Sequence, residues 1–142
     1  MDQTPSPSAI DEFRRFVEAG QHSGIAALLA PDVQFNSPVK FHPFTGREMV
    51  AGLLSVVGSI FEDFRYVGDQ RGTSTSRTGD VAHAGTLEFR ARIGKTQIHG
   101  IDLIELGDDG TIETFTVMIR PRSAADALGA AVYEGLVARG LV

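Results

Sequence analysis

The chain has 142 residues, 42% hydrophobic and 22% charged, with 13 basic and 18 acidic side chains for a formal net charge of −5. That length holds one ordinary core, and that composition excludes a disordered, collagen-like or coiled-coil chain. Cysteine is absent, so disulfides and thiolate chemistry are excluded, and no basic stripe marks a nucleic-acid partner.

Residues 1–7 (MDQTPSP) read as a disordered tail, not a signal peptide, because no basic residue precedes Arg14 and no long apolar run follows. No run reaches the ~20 apolar residues that cross a bilayer, so no membrane partner is expected. With cysteine missing, a reducing, cytoplasmic location is the expectation. The rest, 8–142, reads as one domain.

Ser8 and Asp11 have the spacing of a capping box for a first helix that presents Ile10, Phe13, Phe16 and Val17 on one face and stops at Gly20. A second short helix is expected from Ser23, with Ile25, Leu28 and Leu29 as its apolar face and Pro31 as its end. Val33, Phe35 and Ser37 then alternate with polar residues, the pattern of a strand over 32–38. After the loop Phe41-His42-Pro43-Phe44, Thr45 and Glu48 predict a second capping box. It opens the longest apolar helical pattern, from Met49 through Leu53, Val56, Val57 and Ile60 to Phe61.

Beyond Phe64 the period changes from helical to alternating, over 64–70, 80–93, 96–106 and 111–120. Asp108-Asp109-Gly110 between two such runs signals a hairpin turn. Ser123 and Asp126 have capping spacing for a last helix in which Leu128, Val132 and Leu136 recur every fourth residue. Segregated helices and strands argue for an α+β fold with helices on one face of a curved antiparallel sheet. The other face would carry Ile101, Leu103 and Met118, too apolar for water, so a homodimer through that outer face is expected.

This order, with FNSP in the first strand, TGRE before the long helix and GIDLIELGDDGTIETFTVMIRP in the last hairpin, resembles the nuclear transport factor 2-like superfamily, and within it the SnoaL-like branch with a cystatin-like fold. The resemblance covers roughly residues 8–140. It implies a sheet wrapped around the long helix as a cone, enclosing a cavity. Relatives include ketosteroid isomerases, polyketide cyclases, epoxide hydrolases and dehydratases, so it implies a fold more narrowly than an activity.

Strand parity then gives the lining of that cavity. Leu87, Phe89 and Ala91 share one face with His83, and Ile98, Gly100, Asp102 and Ile104 share another. Phe115, Val117 and Ile119 are expected to face in from the last strand. Asp102 is the one carboxylate in this apolar set, where burial raises a carboxyl pKa toward a value suited to a general acid or base. By resemblance it inherits the proton-transfer role of the superfamily's acid on this strand. The other reading is a carboxylate that ties down a bulge or pairs with an arginine. His83 is the candidate assistant to Asp102, or else a half-exposed residue near the Gly79-Asp80 turn.

Phe35, Phe41, His42 and Phe44 are expected around the mouth, as an aromatic rim for a flat apolar ligand or as ordinary packing. Ser37 in the NSP sequence is a further candidate contact. The epoxide hydrolases of the superfamily use two acids with an arginine between them. Here the corresponding places hold Gly100 and Val117, which argues against epoxide hydrolysis. No phosphate loop, dinucleotide motif or histidine spacing for a metal occurs, so neither a cofactor nor a metal is expected. The sequence therefore predicts a cofactor-independent enzyme acting by acid–base chemistry on a hydrophobic carbonyl compound, or alternatively a dimeric protein that binds an apolar small molecule without catalysis.

Overall fold

The computed structural model describes residues 8–142; the expected tail, 1–7, lies outside the described residues. Helix α1 (Ala9–Ala19) begins in the expected capping box. The Asp11 N–H donates to Ser8 Oγ (3.3 Å), and the Ser8 N–H donates to Asp11 Oδ2 (3.0 Å). Ile10 and Phe13 are buried on its inner face.

The next segment differs from expectation. His22–Leu28 forms a 3-10 helix with no side-chain cap, and Leu29 and Pro31 belong to strand β1 (Leu29–Asn36). Pro31 fits there because the pairing of β1 with its neighbour shifts register between Leu29 and Gln34, where no regular ladder bond is needed from it. Two further caps are also corrected. Thr45 is taken up in the short strand β2 (Phe44–Thr45), opposite Gln34, so Gly46 rather than Thr45 precedes helix α2 (Arg47–Ile60). At the C-terminal end Ser123 and Asp126 lie inside helix α3 (Arg122–Ala138), which follows Pro121 with no side-chain cap.

Four long strands make the meander: β3 (Glu62–Thr75), β4 (Val81–Ile93), β5 (Thr96–Leu106) and β6 (Ile112–Arg120). β3 runs past its expected end because residues through Thr75 keep pairing, out to Val81 on β4. Between β5 and β6 the Thr111 N–H donates to Asp109 Oδ1 (3.0 Å), and Gly110 takes φ 84°. That positive φ is what the turn required of glycine. The sheet order is β2-β1-β6-β5-β4-β3. The meander β3–β6 is antiparallel as expected, and β1 joins it by running parallel to β6 while pairing antiparallel with β2.

The core lies between the sheet and the helices. Phe115 of β6 stacks on Phe35 of β1 (5.5 Å between ring centroids) and meets Phe13 of α1 edge-on (5.0 Å). At the other side Phe89 of β4 packs against Phe64 (5.1 Å) and Phe61 (5.5 Å). These two aromatic groups form opposite walls of the space that α2 and α3 close.

Candidate active site

A cavity of about 710 Å³ opens between the inner sheet face, α1, α2 and α3. Its lining is mainly apolar, as the alternation of β4, β5 and β6 requires. Asp102 enters it from β5, between Leu87 of β4 and Val117 of β6 directly across the ladders. The residue is 7% exposed, and among the described residues no side-chain hydrogen bond or ion pair reaches its carboxyl group. Burial alone pushes its pKa up to about 8, so at neutral pH most of this group is the uncharged acid.

Tyr66 of β3 is the second polar group in the cavity wall. Its ring meets Phe64 edge-on (5.0 Å), and the Arg14 guanidinium lies over it (5.3 Å). The hydroxyl is buried and has no hydrogen-bond partner among the described residues. Burial first, then negative charge on Asp102 and Glu18, push the phenol pKa far up, so the group stays a neutral donor. The β3–β4 pairing shifts register on both sides of Tyr66, between Glu62 and Arg65 and between Tyr66 and Gly68. Asp63 at φ 53° bends the strand just before it. Phe64, Tyr66 and Gly68 are nevertheless half-buried while Arg65 and Val67 are exposed, so Tyr66 follows the alternation of its strand and shares the inner face with Phe89 opposite it.

Of the other expected site residues, Phe35, Ser37, Phe44, Phe89, Phe115 and Val117 line the cavity. Ser37 is occupied with a turn: its Oγ accepts from the Lys40 N–H (3.1 Å) and the Val39 N–H (3.4 Å). Four expectations need correction. Phe41 is 95% exposed and His42 is exposed too; the turn at Ser37 brings Pro38, Val39 and Lys40 to the cavity and carries the next two residues outward. Ile119 packs partly buried against the core, outside the cavity lining.

His83 is exposed and far along β4 from Asp102. It has the inward parity, but Ile10 of α1 ends the cover over Gly85, where an added Cβ would come within 3.1 Å of Ile10 Cδ1. Beyond that point the parity of burial inverts, with Ala82 and Ala84 hidden and Val81 and His83 open to solvent. The pair expected for proton transfer is therefore not brought together, and Tyr66 stands where an assistant to Asp102 was sought.

Glu18, His22, Lys40, Arg65 and Tyr133 add further polar groups to the lining, and α3 contributes Leu128, Val132 and Leu136. The stripe on α3 was legible as a helical face, although its target was not. Gly100, next to Asp102 on the inner face, admits the Phe89 ring: a Cβ there would lie 2.5 Å from Phe89 Cζ. No side chain fits at that place while Phe89 holds it.

Residues 10–115 match the family model of the SnoaL-like domain. The chain belongs to this family. Among solved structures, this SnoaL-like domain is similar to an uncharacterized conserved bacterial protein with a cystatin-like fold from Silicibacter pomeroyi. The TM-score is 0.81 at 35% identity, over 94% of this chain and 89% of that one. It is also similar to a steroid delta-isomerase from Pseudomonas aeruginosa, with TM-score 0.79 and 34% identity over 94% and 93% of the two chains. Among curated proteins it is 32% identical over 110 residues to the epoxide hydrolase LasB of Streptomyces lasalocidi. That match covers 75% of this chain but only 38% of LasB. The α+β cone is thus the nuclear transport factor 2-like fold, in a family whose members include isomerases and epoxide hydrolase-like enzymes. No helix among the described residues is long and apolar enough to cross a membrane.

Proposed function

We propose that this SnoaL-like domain is a cofactor-independent enzyme that performs acid–base chemistry on a hydrophobic carbonyl compound, as in isomerisation, aldol cyclisation or dehydration. The observation that carries the reading is the Asp102 carboxyl: buried, unpaired among the described residues, and held as the neutral acid inside an apolar cavity. A carbonyl oxygen in the cone accepts a hydrogen bond from Asp102 and a second from the Tyr66 hydroxyl. Loss of a proton from the adjacent carbon then moves negative charge onto that oxygen. Two fixed donors in an apolar site stabilise the developing charge far more than water would. Glu18 and His22 are the lining groups able to accept the carbon-bound proton. The likeness to a steroid isomerase supports this reading. Ring opening by two acids and an arginine has less support, since Val117 faces Asp102 across the ladder and Phe89 fills the space beside Gly100. Pairing with a second copy through the outer face, where Met118 is 51% exposed opposite Ile101, belongs to the same proposal.

The test needs no prior choice of substrate. Enolisable polycyclic and steroidal ketones are incubated with the protein in D₂O, and exchange of the proton next to the carbonyl is followed by NMR. Wild type is expected to accelerate exchange, Asp102→Asn to lose about 10²–10³-fold of that acceleration, and Tyr66→Phe a smaller part. Ketones that bind in the cavity without any accelerated exchange would replace the enzyme by a binding protein.

A further inference from the structure

One register row on the outer face of the sheet is unusual in its charge. Arg65 of β3 stands opposite Arg90 of β4, Arg90 opposite His99 of β5, and His99 opposite Arg120 of β6. Residues paired in this way project from the same face, and like charges side by side repel. Most sheets would place a carboxylate among them. Here the nearest one is committed elsewhere. Arg120 Nη1 lies 3.3 Å from His99 Nδ1, and a guanidinium can only donate, so Nδ1 is the acceptor and Nε2 carries the ring proton. His99 Nε2 donates that proton to Glu88 Oε2 (2.6 Å), which draws the carboxylate to the histidine rather than to the arginines.

The same cations converge on a groove. Of the 13 lysines and arginines, Arg14, Arg15, Arg71, Arg77, Arg92 and Arg122 make ion pairs with carboxylates among the described residues. Four of the remaining seven, Arg65, Arg90, Lys95 and Arg120, line one depression of about 570 Å³ at the end of the outer face. No aspartate or glutamate lines it, although the chain as a whole is acidic. Thr96 adds a hydroxyl from the start of β5, and Ser123 adds another from the first turn of α3, which no side chain caps.

We propose that this groove binds the phosphoryl groups of a small phosphate- or diphosphate-bearing molecule. The row from Arg65 to Arg120 crosses four strands, roughly 14 Å at ordinary strand spacing. A single carboxylate answers one of these cations. A phosphoryl group brings up to two charges and several acceptor oxygens, in the geometry that guanidinium forks bind in pairs. The inference does not depend on the chemistry of the cone, because the two spaces have separate linings; Arg65 alone borders both.

Calorimetric titration of the intact protein at low ionic strength tests it, with inorganic pyrophosphate, inorganic phosphate and acetate as probes. Pyrophosphate is expected to bind more tightly than phosphate, acetate not measurably, and added salt to weaken the binding. Arg90→Glu and Lys95→Glu lie on different elements, and each is expected to weaken pyrophosphate about tenfold or more. Arg15→Glu changes net charge equally at a distant helix surface and is expected to leave it within about twofold. Backbone amide shifts on titration should concentrate at Thr96, Gln97 and Ser123. The proposal fails if pyrophosphate gives no binding, if acetate matches it, or if Arg15→Glu weakens it as much as the groove variants.

Discussion

Strand β5 carries two carboxylates that are about equally hidden, Asp102 at 7% exposure and Glu105 at 9%, and their surroundings differ completely. Glu105 receives a hydrogen bond from the Ser74 hydroxyl (2.5 Å). Asp102 faces the cone, where nothing among the described residues donates to it and burial pushes its pKa up to about 8. The same contrast holds for whole faces of the sheet. Outside, charges stand in or near solvent, which screens them whether or not they are paired; inside, one acid and one phenol are held without partners among the described residues. Burial of a polar group is therefore not by itself a sign of function, since the outer face satisfies its hidden carboxylate and the inner face withholds satisfaction. An unpartnered acid in an open cavity costs stability, and a substrate oxygen is the partner that removes the deficit.

The comparison can be broken most strongly at Asp102. Its unfolded pKa lies near 3.8, the ordinary value of an aspartate, and its folded one is pushed up to about 8. Below the lower value both states are protonated and the group has no effect. As pH rises between the two, the unfolded chain releases a proton that the folded one keeps, so the native state loses stability until about pH 8. Asp102→Asn removes this titration. Its stability relative to wild type is expected to rise by on the order of a few kcal/mol between pH 5 and pH 8, read from urea unfolding at each pH. A constant difference across that range would show that the folded protein does not hold the Asp102 proton.

A smaller effect sharpens the picture of the inner wall. Gly100→Ala drives a Cβ against the Phe89 ring and to 2.9 Å from the Met118 carbonyl oxygen, and the carbonyl cannot swing away without disturbing β6. A loss of about 1–3 kcal/mol in chemical denaturation is expected. The smallest effect belongs to His83→Ala. With its side chain in solvent, it should change stability by no more than about 0.5 kcal/mol and leave ketone proton exchange untouched. A large loss of exchange there would return His83 to the site and displace Tyr66.

Legibility in the sequence followed the range of the interactions involved. The Ser8–Asp11 box and the Asp109-Gly110 turn are made by neighbours in the chain, and both formed as read. The pairs Thr45–Glu48 and Ser123–Asp126 had the same local pattern but did not cap: Thr45 was drawn into β2 by pairing with Gln34, and a competing local signal, Pro121, set the start of α3. Alternation placed Asp102, Phe89, Phe115 and Val117 on inner faces because no shift interrupts β4 and β5 around Asp102 or β6 beside it. It failed for His83, whose parity is right but whose cover ends at Gly85; Tyr66 keeps the alternation of β3, but which face of that strand meets the cavity is set by its pairing with β4.

Composition, period and the hairpin motif thus determined the α+β class, the family resemblance and the acid at position 102, since each depends on residue type and short spacing. Tertiary structure alone decided that Tyr66 shares a cavity with that acid, that Phe41 and His42 turn away, and that four cations meet in one groove. Those facts depend on which faces the helices cover and where strands slip past one another, and these are set by packing between residues far apart in the chain.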